Sequence, residues 1–329
     1  MTTATLPSVF VWKRLQSLMG LWLVLFLTEH LFVNSQAALL LGESGRGFVE
    51  AVNAIHNLPY LPVIELFLLG VPILIHMVWG VRLLFTAKSN TVSSDGSKPQ
   101  LSEYKRNKAY SWQRITSWIL LVGLIAHIVT FRFLEYPWTA TEGQTFSYFV
   151  KIKMDKGLYT LADRLGFTLY DESSILREKG ALAHRQDEAA LLELAETMPD
   201  TSSFDAGQEV ILTSAQKYRE KMAWVHALEK KPLQKGEVIA VSGSFGTASL
   251  LSVRDIFKVP LYAGLYTIFV LAACFHGFNG FWTFLITWGF VIKRASQKRA
   301  ASLAVALILL VTFLGLAAIW GTYWLNLKS

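Results

Sequence analysis

The chain has 329 residues, of which 53% are hydrophobic and only 17% charged, with a mean hydropathy of +0.38. Soluble domains carry about 25% charged residues, so these figures argue against a soluble two-domain enzyme of this length. The net charge of +7 lies beside apolar segments, which ties it to membrane topology rather than to nucleic acid. The single cysteine, Cys274, excludes an internal disulfide, a thiolate zinc site, a four-cysteine iron–sulfur cluster and the C-x-x-C-H attachment of covalent haem. Any cofactor must therefore be held by other ligands.

Apolar segments at roughly 15–40, 60–87, 112–134, 260–292 and 300–327 predict five membrane-spanning helices. Spanning needs about 20 apolar residues, and the uncharged runs Val259–Ile292 and Ala300–Leu327 are 34 and 28 residues long. The first segment opens on Lys13 and Arg14 like a signal sequence. It goes on through Glu29, His30 and Asn34 with no small-residue cleavage site, which reads as a retained helix. Arg82, Lys88, Lys98, Lys105, Arg106, Lys108 and Arg114 surround the second connection, which holds a Ser/Gly/Lys linker at 88–99. Lys293, Arg294, Lys298 and Arg299 fill the fourth connection, whereas the first has only Arg46. By the positive-inside rule the N-terminus is cytoplasmic and the C-terminus outside.

Between the third and fourth segments, residues 135–259 turn polar and mixed in charge. Apolar positions recurring at three and four predict amphipathic helices over 174–198 and 208–231, separated by the breaker at 199–203. Phe146–Ile152 and Val238–Val241 read as short strands. The chain thus divides into 1–134 (helices one to three), an extracytoplasmic insert at 135–259, and 260–329 (helices four and five). The expected fold class is an all-α integral membrane protein, a five-helix bundle with a polar α+β insert. The insert, with His184 and His226 and no cysteine, carries no redox ligand set and is expected to pack over the outer mouth as an assembly or interaction module.

Four of the seven histidines, His30, His76, His127 and His276, fall one in each of the first four helices. Ionisable groups within a membrane are costly and normally face the bundle interior with a functional partner. Singly, each is as readily a packed histidine hydrogen-bonded to a neighbouring helix. Together they form two pairs of imidazoles, the axial requirement of two b-type haems. Depth separates the pairs at about 1.5 Å per residue. His127 lies ten residues before Pro137 and His30 four before Asn34, both shallow from the outer side; His76 and His276 each lie sixteen residues in from Tyr60 and Pro260. Gly80, Gly123, Gly277 and Gly280 sit near these histidines and offer either close helix packing or room for a macrocycle. Arg14, Gln16, Ser17 and Arg114 are candidate partners for haem propionates.

The runs Arg14-Leu-Gln-Ser-Leu-Met-Gly20 and Glu29-His-Leu-Phe-Val-Asn-Ser35 resemble the first helix of the di-haem cytochrome b subunit of succinate dehydrogenase and fumarate reductase. His56-Asn-Leu-Pro-Tyr-Leu-Pro62 with Glu65, Pro72, His76 and Gly80 resembles its second helix. Asn107-Lys-Ala-Tyr-Ser-Trp-Gln-Arg-Ile-Thr116 with His127 resembles the third, and His276-Gly-Phe-Asn-Gly-Phe-Trp282 with Trp288-Gly289 the fourth. The resemblance covers about 200 residues of the chain. It implies His76 with His276 on a proximal haem, His30 with His127 on a distal one, and flavoprotein and iron–sulfur partners on the cytoplasmic face of the inner (cytoplasmic) membrane. It also implies exchange with membrane quinone, menaquinone being favoured over ubiquinone. Where a menaquinol-oxidising branch carries a glutamate this chain has Cys274, which favours succinate oxidation. The 125-residue insert has no counterpart in the family pattern.

Glu50, His56 and Asn57, at the outer mouth, are expected to meet a quinone carbonyl, or else to form a wetted interfacial loop. Glu29 is either packing or a polar neighbour of the distal haem. Rival readings are a cytochrome b serving a hydrogenase or formate dehydrogenase, a His/Glu metal-ion transporter, and a structural anchor without haem.

Overall fold

In a computed structural model the described residues are 7–39, 43–86, 105–198 and 205–328. The linker at 88–99 and the breaker at 199–203 lie outside them. Among the described residues five helices are long and apolar enough to cross a membrane: Ser8–Ser35, Leu61–Leu83, Asn107–Leu134, Pro260–Thr287 and Arg294–Leu325. We call these the first to fifth spans. The first, third and fifth begin several residues before the apolar runs, because flanking polar residues extend a helix beyond the hydrophobic stretch. The fourth ends sooner than its 34-residue uncharged run. Gly289 takes the left-handed conformation at φ +78°, and the Trp288 and Gly289 amides close the last turn on the Phe284 and Ile286 carbonyls. His276 therefore lies eleven residues from the C-terminal end of the fourth span, or about 16 Å.

Small residues seat the spans against each other, as expected where lipid gives no hydrophobic drive between helices. A side chain at Gly277 would approach Val24 of the first span to 3.2 Å, and one at Gly315 would approach Val270 of the fourth to 2.6 Å. The first and second spans are also tied by Trp22, whose Nε1 donates to the Leu68 carbonyl at 2.5 Å.

Outside the spans, α1 (Arg46–His56) follows the first span. Residues 135–259 form a four-stranded antiparallel sheet of order β1-β2-β4-β3. Its strands are β1 (Trp138–Glu142), β2 (Thr145–Lys153), β3 (Phe167–Tyr170) and β4 (Glu237–Ser242). Side chains alternate across a strand, so Val150, Ile152, Val238 and Ala240 share one face. There they pack on α2 (Gly157–Leu165) and α6 (Phe245–Ile256). Phe149, Ile239 and Val241 share the other face with Trp138, Ile175 and Leu228. The expected strands at 146–152 and 238–241 are present as β2 and β4, with β1 and β3 added at the edges.

The helix expected over 174–198 is two: α3 (Glu172–Ala183) and α4 (Gln186–Thr197). Arg185 leaves helical geometry at φ −92°, ψ 49°. Asp187 and Glu188 then open α4, where negative charge complements the amide ends. The helix expected over 208–231 is α5 (Ala206–Glu229), begun by an Asp205/Gln208 capping box.

Helix α6 joins the sheet to the bundle. Its Leu250 and Val253, with the following Phe257, are buried in one cluster with Val24, Leu31, Phe48, Val49 and Val270. At its far end, Lys258 pairs with Asp155 at 2.8 Å and Asp255 at 3.1 Å, and Asp255 accepts from the Lys153 amide at 2.8 Å. These contacts latch the end of β2 to the start of the fourth span.

Candidate functional site

The structure brings the four span histidines together as two facing pairs. The His30 and His127 ring centroids are 5.8 Å apart with planes at 85°, and those of His76 and His276 are 6.2 Å apart at 83°. Two imidazoles bonded through Nε2 to one metal at about 2 Å each would hold their centroids roughly 6 Å apart. The two planes can then take any rotation about the common axis, so the observed spacing is compatible with a metal between the members of each pair.

The partners of Nδ1 determine which nitrogen is on offer. His76 Nδ1 lies 3.0 Å from the Gln16 carbonyl. A carbonyl only accepts, so Nδ1 carries the proton and Nε2 keeps its lone pair. His276 Nδ1 lies 3.5 Å from the Thr116 hydroxyl and 3.4 Å from that of Ser117. Those hydroxyls spend their protons on the Trp112 carbonyl at 2.8 Å and the Gln113 carbonyl at 2.7 Å. They therefore accept from His276 Nδ1, giving the same tautomer. His127 Nδ1 faces the Tyr266 hydroxyl at 3.4 Å. His30 Nδ1 faces Asn34 Nδ2 at 3.5 Å, while that amide donates to the His30 carbonyl at 2.8 Å.

Several contacts around the pairs were not legible as function. Gly20, rather than Gly80, lies against His76: a Cβ there would come within 2.9 Å of His76 Cε1. One at Gly80 would meet only Gln16 Nε2 at 3.7 Å, and one at Gly280 only Gln113 Nε2 at 3.8 Å. Gly123 serves packing, since its open side is filled by the Phe269 ring. Gln113 donates to the His276 carbonyl at 3.0 Å and accepts from Asn279 at 2.7 Å, a polar bridge between the third and fourth spans. The available signal was a pair of amides in otherwise apolar helices.

Among the rim residues, Arg14 packs its guanidinium over Phe10 at 4.9 Å and Trp288 at 5.1 Å. Gln16 supplies the carbonyl to His76, and Ser17 and Arg114 are half-buried. Trp79, one turn beyond His76, is buried, and its indole N–H has no acceptor among the described residues.

Between the first and second spans the three residues expected to meet quinone part company. Glu50, Asn57 and also Glu29 are exposed, whereas His56 is half-buried. His56 stacks on Phe245 with centroids 3.7 Å apart and planes at 9°, and its Nε2 lies 3.4 Å from the Tyr148 hydroxyl. Beside it, Glu65 of the second span pairs with Arg132 of the third at 2.9 Å. Glu65 immediately precedes the π-helical turn Leu66–Gly70, and Arg132 lies within the π-helical turn Thr130–Leu134. Burial lowers the His56 pKa below its ordinary value; Glu65 opposes the shift and Arg132 adds to it. Among the described residues no group of three or more His, Cys, Asp or Glu side chains converges to hold a bare metal ion.

Five apolar spans with paired interior histidines define a multi-pass helical membrane protein. The chain is similar to the succinate dehydrogenase cytochrome b558 subunit of Bacillus subtilis (strain 168), with 35% identity over 120 residues. That match covers 36% of this chain and 54% of the relative, so the chain spans about half the length of the curated protein it matches. It agrees with the family resemblance drawn from the histidine motifs. No protein-family model and no solved structure matches the chain.

Proposed function

We propose that this chain is the membrane-anchor cytochrome b subunit of a succinate dehydrogenase, passing electrons between an iron–sulfur subunit and membrane quinone. The observation that carries the reading is the two facing imidazole pairs. Their spacing suits one metal each, and His76 and His276 have tautomers that leave Nε2 free. Two nitrogens fall short of the four ligands of a zinc site, but they complete a porphyrin iron, whose other four ligands belong to the macrocycle. The similarity to a succinate dehydrogenase cytochrome b subunit supports the same assignment.

In this reading His30 and His127 hold a distal haem b and His76 and His276 a proximal one. Haem held by these imidazoles would supply one-electron redox chemistry, and a histidine on each side would leave no open site for oxygen, which suits electron transfer. The chain's own residues fix the geometry. The Gln16 carbonyl and the Thr116 and Ser117 hydroxyls orient the inner imidazoles, Tyr266 faces His127, and the apolar spans exclude water. Arg14, Gln16, Ser17 and Arg114 would be the partners of the haem propionates. Flavoprotein and iron–sulfur subunits dock on the cytoplasmic face with the N-terminus, and residues 135–259 lie outside. Quinone meets the chain at the outer mouth, where His56 is the inward-facing member of the Glu50, His56 and Asn57 set.

Purification of the complex with a reduced-minus-oxidised spectrum, a pyridine haemochrome assay and flavin analysis tests this. Two non-covalent haems per chain, extractable by acid acetone, with co-purifying flavin are expected. One haem per chain, or haem resisting extraction, refutes the ligand assignment, and absence of flavin favours a hydrogenase or formate dehydrogenase cytochrome.

A further inference from the structure

His56 is enclosed by more than its own helix. Phe245 begins α6 and Tyr148 lies in β2, so one face and one edge of the imidazole are covered by residues of the 135–259 segment. The cover is built rather than incidental. Asn53, one turn before His56 on α1, accepts from the Gly246 amide at 2.7 Å and exchanges hydrogen bonds with Ser244 at 2.9 and 3.2 Å. A side chain at Gly246 would come within 3.0 Å of Val49 Cα and closer still to the Val49 carbonyl. Only a glycine lets α6 approach α1 closely enough to lay Phe245 flat on His56. Tyr148 and Tyr136 then stand against Phe245 at 5.6 and 5.5 Å between ring centroids.

We propose that Tyr148 and Phe245 are positioning residues that hold His56 as the proton-exchanging group for a quinone headgroup at the outer mouth; this rests on the quinone reading above. Reducing a quinone to its quinol adds two electrons and two protons to its two carbonyl oxygens. The electrons come from succinate through the complex and the protons from the outer aqueous side. His56 passes a proton to a quinone oxygen and regains one from the Tyr148 hydroxyl, which is reprotonated by water. Stacking on Phe245 holds the ring plane, and Tyr148 fixes which nitrogen faces the exposed side. The charged and titratable groups acting on His56 are Glu65 of the second span, Arg132 of the third and Tyr148 of β2, while Tyr136 stands against Phe245. Burial lowers the imidazole pKa below its ordinary value, with Glu65 opposing and Arg132 adding to the shift.

The test uses the intact complex in membranes. Succinate oxidation by a soluble dye serves as the measure of assembled enzyme, and kcat and KM for a short-chain quinone are followed across pH. His56→Ala is expected to lower kcat by about 10²-fold, the lower range for loss of a general acid or base. Tyr148→Phe, which keeps the ring and drops the hydroxyl, and Phe245→Ala are each expected to lower kcat about 10-fold, as loss of an orienting partner does. Both should leave KM within about twofold and displace the pH profile, and Phe245→Trp, which restores a stacking face, should recover most of the rate. If His56→Ala reduces quinone normally, quinone does not exchange protons here, and both the mouth assignment and the proposal fall. If His56→Ala is slow while Tyr148→Phe has wild-type kcat and pH profile, the quinone site stands and the positioning proposal is overturned. Tyr148→Phe decides the matter even if Phe245→Ala fails to assemble.

Discussion

Replacing Gly20 by alanine tests the inner histidine pair with one methyl group. The new Cβ would lie 2.9 Å from His76 Cε1 and 3.2 Å from its Nδ1. Relaxed contacts between heavy atoms lie at about 3.5–4.0 Å, so the ring must retreat by roughly 0.5–1 Å. The Nδ1 contact to the Gln16 carbonyl is 3.0 Å, and a retreat of that size takes it past the limit of a hydrogen bond. The lost bond is worth about 0.5–1.5 kcal/mol net. Losing an orienting partner of a metal-ligating histidine typically weakens metal binding about 10–100-fold, or about 1.4–2.8 kcal/mol. Alanine also gains up to about 1 kcal/mol of helix propensity over glycine, which masks the effect in a melting curve. Haem retention is therefore the informative assay: transfer of haem to excess apomyoglobin, followed by the α-band. We expect the inner haem to be lost about 10–100-fold more readily while the outer one is kept. Gly80→Ala, whose Cβ makes only an ordinary 3.7 Å contact, should behave as wild type. Wild-type retention of both haems in Gly20→Ala would remove His76 from the ligand set.

Two further outcomes follow from particular contacts. Gly246→Ala should lower stability by about 1–3 kcal/mol through overpacking at the α1–α6 seam, read as a fall in melting temperature of the detergent-solubilised chain. Asp171 caps α3 by accepting from the Ser174 amide at 2.7 Å, and the Ser174 hydroxyl, that amide and the Ser173 hydroxyl together hold its pKa down to about 2. Asp171→Ala should cost about 1 kcal/mol. Because the folded pKa is depressed, that difference is fully present above the unfolded value near 3.9 and disappears as pH falls through about 2, which melting curves across that range would check.

Hydropathy exposed the five spans and the histidine depths exposed both pairings, because membrane insertion leaves its periods and charges in the sequence. What it concealed depends on contacts between distant segments. Gly20 looks like any helix glycine until the second span is laid against it, and Tyr266 is one aromatic among several early in the fourth span until His127 faces it. Glu50, His56 and Asn57 are polar neighbours along the chain, yet only His56 is covered, because the cover comes from residues 148 and 245. The split of 174–198 into two helices was hidden because Ala, Leu and Glu continue on both sides of His184 and Arg185 with good helix propensity.

The segment 135–259 holds no redox ligand set of its own, yet its packing reaches one of the two histidine pairs. Phe257, 5% exposed, meets Tyr266 of the fourth span edge to face at 5.4 Å and 90°, and the Tyr266 hydroxyl lies 3.4 Å from His127 Nδ1. Tyr266 also touches Phe131, one turn beyond His127. The end of α6 is thus two side chains away from the outer pair, whereas the inner pair leans on Gln16, Thr116 and Ser117 of the spans themselves. Removing a buried phenylalanine ring typically costs about 3–5 kcal/mol, and here it frees the tyrosine that faces the histidine. Phe257→Ala should therefore alter the spectrum and potential of the outer haem and leave those of the inner haem in place. Tyr266→Phe, which keeps the ring packing and removes only the hydroxyl, should shift the outer potential in the same direction by less. A redox titration resolving the two haems tests this. If the outer haem of Phe257→Ala titrates as in the wild type, the outer pair is independent of this segment, and α6 only rests on the bundle.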